Sequence, residues 1–263
     1  MPMMYMGHKF QRTLEEHFIV VHWDQRGAGK SYYSDLDPNT ILISQYLADS
    51  KELVKYLTDR FDKEKVTLVC HSWGTYIGSI LVHENPEMFD AYVGIGQVVN
   101  GNRARLIQRK LLLIEARKRN DLKAIQELEE KGDYILEKWL FKYGGELHNS
   151  KSWVPLLLSG LKAPEYSLTD ALNVPRGSSF SSKHLQYDVY DEQPLDSLFH
   201  KYDLPMYYFQ GRFDLTTPSI LVQEYFDTIE APKKELYWFE GSAHFPFFEE
   251  PKAFSDSLIK VLK

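Results

Sequence analysis

The sequence predicts an α/β fold built on a mostly parallel sheet. Three observations carry this. Short β-branched or aromatic runs alternate with segments of helical period along most of the chain. KVTLVC (65–70) is apolar almost throughout, as a strand covered on both faces requires. The stretch VTLVCHSWGTYIGS (66–79) passes from strand to glycine-spotted helix through a single serine.

Taken in order, Pro2 and MMYMGHKFQRTLEE predict a helix starting almost at the first residue. HFIVVHWD (17–24) predicts a strand and QRGAGKS a glycine turn. In 38–61, Leu47, Leu53, Val54 and Leu57 fall on one helical face. KVTLVC is the next strand, GTYIGSILVHENP a helix ended by Pro86, and AYVGIGQVV (91–99) a strand. The alternation then stops. Residues 103–142 predict two amphipathic helices, and 152–202 is aromatic, Pro- and Ser-rich and reads as irregular. It resumes with DLPMYYFQGRFD (203–214), helix PSILVQEYFDTI, strand KKELYWFEG (233–241) and closing helix AFSDSLIKVLK. The expected organisation is a core of 1–99 and 203–263, with 100–202 as a mainly helical lid insertion.

Composition narrows the function classes. The 263 residues, 43% hydrophobic and 26% charged, suit a globular chain with a sizeable core. A net charge of -6 argues against nucleic acid as a partner. The basic residues bunched at 103–119 interleave with apolar ones at helical spacing, which predicts a solvated helix face. One cysteine, Cys70, excludes an internal disulfide. No run reaches the length of a membrane span, and MPMMYMGHKF lacks a signal peptide's apolar core. The expectation is a cytoplasmic protein without membrane association. GAGKS imitates a phosphate loop, but Asp24 stands where its first glycine belongs and YYSDLDP comes next instead of a helix. HENPE (83–87) is not a zinc motif. No cofactor and no metal are expected.

The serine decides the chemistry. A strand that turns sharply into a helix exposes one side chain at the sheet's carboxyl edge, with small neighbours such as Cys70 and Gly74 easing the turn. The alternative for Ser72 is an ordinary N-cap. A serine nucleophile needs a base, and the base an orienting acid, in the order Ser, Asp or Glu, His. Asp214 follows one late strand and His244 the next; Asp203 and Asp227 fit worse. Of nine histidines, His244 alone sits in a loop after a late strand, while His71 should point away from Ser72 at a sharp turn.

With DQRGAGKS, HSWG, GRFDLTTP and GSAHFPFFEEP in that order, the chain resembles the α/β-hydrolase superfamily over almost its whole length, particularly the proline iminopeptidase-like branch. The resemblance implies Ser72 as nucleophile, Asp214 as acid, His244 as base, the Trp73 amide as an oxyanion donor, and a helical lid. It implies hydrolysis of a small ester or an N-terminal peptide bond, with a carboxylesterase or a non-catalytic ligand-binding homologue as alternatives. Two features depart from the branch. Leu215 stands where an acidic residue commonly holds the substrate's amine, leaving Glu165, Asp188, Asp191 and Glu192 as lid substitutes. The HG-rich oxyanion loop would precede MPMMYMGHKF, so the implied fold is N-terminally truncated. That predicts weakened activity and self-association through unpaired strand edges beside HFIVVHWD and KVTLVC. Trp139, Phe141, Trp153, Leu156, Tyr166 and Phe180 are candidates for an apolar substrate pocket.

Overall fold

A computed structural model describes residues 12–150, 152–160, 163–185 and 189–263. The longer elements are α1 (Ile43–Phe61), β1 (Val66–His71), α2 (Trp73–Glu84), β2 (Phe89–Ile95), α3 (Gly101–Lys118), α4 (Leu122–Glu130) and α5 (Leu136–Lys142), then α6 (Leu168–His184), β3 (Met206–Gly211), α7 (Ser219–Thr228), β4 (Lys234–Phe239) and α8 (Pro251–Leu262). The chain divides into two compact units, Glu64–Lys151 with Asp188–Glu250, and Met1–Lys63 with Ser152–Tyr187 and Pro251–Lys263. The 100–202 segment contributes to both.

The first unit holds the sheet. Its strands lie in the order β1-β2-β3-β4, every pair parallel, with Val69 opposite Val93, Ile95 opposite Phe209 and Gly211 opposite Phe239. Helices α2 and α7 make the crossovers that parallel pairing demands. Because all strands run the same way, their carboxyl ends share one edge. The central strands β2 and β3 are almost wholly buried, which explains their apolar runs. By contrast β1, expected to be covered on both faces, is only half-buried at the end of the strand order, with Val69 43% exposed.

Three helices, not two, come after β2. Leu112 and Ala116 of α3 meet Ala124 and Leu128 of α4, and Ile135 and Leu136 join Trp139 and Leu140 to complete one buried cluster. Trp139 is fully buried, its indole N–H donating to Glu127 at 3.0 Å. It is core, not part of a pocket. The basic run is ion-paired: Arg103 meets Asp196 and Glu224, Arg105 meets Asp133 and Asp191, Arg109 meets Asp133, Arg117 meets Glu129, and Arg119 meets Glu115.

In the second unit two expectations fail. Residues 19–25 have no regular structure, and Ile19 and Val21 are 61% and 46% exposed. A β-branched run becomes a strand only where a ladder partner satisfies its backbone, and 17–24 joins no ladder among the described residues. The stretch expected to be irregular instead contains the 17-residue α6. A capping box starts it, with the Ser167 side chain accepting from the Asp170 amide and Asp170 accepting from that of Ser167. Its interior Pro175 and run of serines disguise the helix. The GAGKS turn lies against it, the Ser181 hydroxyl donating to the Gly27 carbonyl at 2.9 Å. The predicted helix from Pro2 lies outside the described residues except for Arg12–Glu15, which is helical. Among the described residues no helix is long and apolar enough to cross a membrane.

Trp139→Ala is expected to cost about 3–5 kcal/mol, the range for truncating a buried aromatic. Urea unfolding of parent and variant measures it.

Candidate active site

β1 ends at His71 and α2 begins at Trp73, leaving Ser72 alone between them with φ 51° and ψ −125°. Positive φ at a residue with a side chain costs on the order of 1–3 kcal/mol and needs support from outside. The Ser72 amide donates to the Ile95 carbonyl at 2.9 Å. Its carbonyl accepts from the Thr75 amide at 2.8 Å and the Thr75 hydroxyl at 2.6 Å. Strand and helix approach most closely one turn beyond the expected place. A Cβ at Gly78 would lie 2.5 Å from the Cys70 sulfur, whereas one at Gly74 would make ordinary contact at 3.9 Å. Trp73 opens the helix, so its amide belongs to the positive end of the helix dipole beside Ser72.

Asp214 lies in the turn after β3 and His244 in the loop after β4. Both are buried, at 0% and 3% exposure. The His244 Nδ1 lies 2.9 Å from Asp214 Oδ2. Asp214 also accepts from the Thr217 amide at 2.9 Å, the Thr217 hydroxyl at 2.7 Å and the Gln210 amide at 3.0 Å. Gly96, with φ +57°, follows the carbonyl that fixes Ser72. A Cβ there would lie 2.7 Å from His244 Cε1. The Ile95–Gly96 corner therefore brings the Ser72 backbone and the His244 ring together, and Asp214 is hydrogen-bonded to that ring.

Several supporting residues are not evident from the sequence. His71 packs on His244: ring centroids are 4.7 Å apart, and its Nε2–H donates to the His244 carbonyl at 2.9 Å. Phe245 and Phe247 complete its surroundings. Burial holds this imidazole well below its ordinary 6.5, nearby His244 adds to the shift, and the hydrogen bond opposes it. Glu249 accepts the amides of His148, Asn149 and Ala243, each at 2.7 Å. Glu146 sits in the loop whose carbonyls take the amides of Leu215 and His244, from Gly145 and Glu146 respectively. Burial pushes its carboxyl up to about 7, with His244 pulling the other way and Glu137 and Asp214 adding to the rise. The Asp-x-x-Thr spacing at 214–217 is a turn-capping signal that points to Thr217; GGELH around Glu146 offers none.

Of the acidic lid substitutes, Asp191 is paired with Arg105 at 2.6 Å, Glu165 and Glu192 are exposed, and Asp188 lies outside the described residues. Of the pocket candidates, Tyr166 donates its hydroxyl to Asp24, and Phe180 packs on Tyr32 and His184. Phe141 and Trp153 are half-buried, and the Leu156 side chain is outside the described residues. Among the described residues no cluster of His, Cys, Asp or Glu could hold a metal ion.

The family model described as serine aminopeptidase, S33, matches residues 5–144, more than half of the chain. The chain belongs to this family. A probable aminopeptidase, YbaC, of Bacillus subtilis (strain 168) is 29% identical over 264 residues, covering 97% of this chain and 82% of that protein. The crystal structure of a proline iminopeptidase-related protein from Thermus thermophilus matches at 17% identity and TM-score 0.63, covering 98% of this chain and 84% of that one. A thermophilic esterase from Thermogutta terrifontis matches at 17% identity and TM-score 0.64, with the same coverage. This S33 family member has the α/β-hydrolase fold and is a hydrolase of that type.

Burial that holds His71 below its ordinary value predicts that the family member loses stability in acid. Below about pH 6.5 the unfolded chain takes up a proton at this position that the folded chain refuses, so stability falls as pH falls. Melting temperatures measured from about pH 7 down to about pH 5 are expected to show the parent's advantage over His71→Gln shrinking across that window.

Proposed function

We propose that the chain is a serine aminopeptidase that cleaves an N-terminal peptide bond through an acyl-enzyme on Ser72. The observation that carries this is the strained Ser72 backbone, fixed at the same corner that receives the ring of the buried, Asp214-bonded His244. With Nδ1 donating to Asp214, His244 presents Nε2 as the base. It takes the Ser72 proton as the hydroxyl attacks the scissile carbonyl, then returns it to the leaving amine. Asp214 stabilises the imidazolium formed between these steps. The Trp73 amide faces the developing oxyanion; one such donor is worth roughly 10²–10³ in turnover. Water, activated by the same base, releases the acyl group.

The aminopeptidase reading rests further on Glu146. Leu215 leaves the place after the acid apolar, and the neighbouring loop supplies a half-buried carboxyl with no protein hydrogen-bond donor among the described residues. A substrate's α-ammonium is the partner such a group lacks. The helical cluster α3–α5, packed against Leu215, is the part of the 100–202 insertion we assign to covering the site.

Ser72→Ala is expected to abolish hydrolysis and labelling by a fluorophosphonate. If it turned over p-nitrophenyl esters at the parental rate, the nucleophile would be misassigned. Asp214→Asn should lose about 10⁴ in turnover through the wrong His244 tautomer.

Glu146→Gln separates peptidase from esterase. Loss of a charged hydrogen bond, about 1.5–3 kcal/mol, should cost about 10- to 150-fold on free-amine naphthylamides and little on their N-acetyl counterparts. In the parent, the preference for the free amine should climb between about pH 6 and about pH 7.5 as Glu146 ionises. The stability effect has the opposite sign. A carboxyl raised by burial destabilises the fold as pH rises above its unfolded value, so the glutamine variant should gain in melting temperature at alkaline pH. Equal cleavage of free and acetylated substrates at every pH would leave an esterase.

A further inference from the structure

We infer that Thr217 is a positioning residue for the reaction proposed above, on whose assignment of Asp214 and His244 the inference rests. Its hydroxyl and its own amide fix the Asp214 carboxylate in the one plane that meets His244.

A carboxylate can turn about its Cβ–Cγ bond unless both oxygens are held. Oδ1 is held by the Thr217 amide at 2.9 Å. Oδ2 takes the Thr217 hydroxyl at 2.7 Å, the Gln210 amide at 3.0 Å and His244 Nδ1 at 2.9 Å. Among the described residues, Thr217 is thus the one that grips both oxygens. Its hydroxyl oxygen also lies 3.4 Å from His244 Nδ1, long for a hydrogen bond, so its proton goes to the acid and the histidine proton goes to the same oxygen. Gln210 backs the arrangement by donating to the Thr217 carbonyl as well, at 3.0 Å. Thr217 is 7% exposed and Gln210 is fully buried, so water cannot easily replace either donor.

Removing the hydroxyl alone leaves the amide grip on Oδ1 and places an apolar methyl against Oδ2. The carboxylate then turns toward better solvation, and the Nδ1–H of His244 turns with it. Nε2 swings off the line to Ser72. The loss falls on the chemical step, because Thr217 is assigned no contact with substrate.

The test is Thr217→Val and Thr217→Ser, each in the parent and in Asp214→Asn, assayed with an activated ester. Thr217→Val should lower kcat about 10- to 150-fold, the value of one hydrogen bond to a charged group, with KM within about twofold. Thr217→Ser should restore kcat to within about threefold of the parent. In Asp214→Asn, where no carboxylate remains to orient, Thr217→Val should cost less than about threefold more. A Thr217→Val enzyme with parental kcat, a serine variant as impaired as valine, or losses that multiply in the double mutant would each overturn the inference. Should the valine variant not fold, Thr217→Ala against Thr217→Ser makes the same comparison. Ser72→Ala is run alongside. If it stays active, the catalytic assignment itself has failed; if it is dead while Thr217→Val is fully active, only the positioning role falls.

Discussion

A carboxylate with no exposed surface has to be solvated by the protein, and the site is arranged around this demand at Asp214. Burying such a charge without partners would cost several kcal/mol. Four donors meet it: Gln210 of β3, the amide and hydroxyl of Thr217, and His244. Those donors define the turn after β3 and the approach of the loop after β4. Glu146, on an adjacent loop, has the contrary environment. It is half-buried beside the same groups but lacks hydrogen-bond donors among the described residues, and its carboxyl rises to about 7. Two neighbouring acids therefore differ in environment: Asp214 is hydrogen-bonded by the fold, whereas Glu146 has no hydrogen-bond donor among the described residues.

Backbone hydrogen bonds join these loops into one block. Leu215 donates to Gly145, His244 donates to Glu146, and Glu249 gathers the amides of His148, Asn149 and Ala243. Glu250 takes the Gly241 amide and the Ser242 hydroxyl. Asp214, His244 and Glu146 are thus referenced to each other by main-chain contacts, which place groups with less play than side chains alone. Leu215 packs against the helical cluster of α3–α5, so the helices after β2 bear on the same block.

Much of this is legible in the sequence, because parallel strands advertise themselves as apolar runs and deliver their next residues to one shared edge. Ser72, Asp214 and His244 stand out by that rule. The rule fails where partners decide the outcome. HFIVVHWD has the composition of a strand but joins no ladder among the described residues, and its Ile19 and Val21 stand exposed. The helix α6 is masked by Pro175 and its serines, since local propensity says little about a capped helix lying against a turn. Trp139 suggests a pocket because aromatic residues suit pockets and cores equally; its neighbours make it core. Glu146 leaves no trace, since the residues its loop meets, Leu215 and His244, are far away in sequence.

The strain at Ser72 shows where the reference frame lies. The elbow's backbone is not held by its own helix alone. The amide bonds to Ile95 of β2, and the Thr75 hydroxyl that grips the Ser72 carbonyl accepts in turn from the Val98 amide just beyond β2. Beneath, Tyr92 donates to Gln97 at 2.8 Å, and Gln97 donates to the Val98 carbonyl at 2.8 Å. The same stretch makes room for the His244 ring at Gly96. One strand end thus fixes the Ser72 backbone on one side and meets the His244 ring on the other. A strained residue survives where its surroundings over-determine it. Here the surroundings are the buried strand β2 and the polar network at its end, so the energy that holds Ser72 in its positive-φ conformation comes from the packing of the sheet.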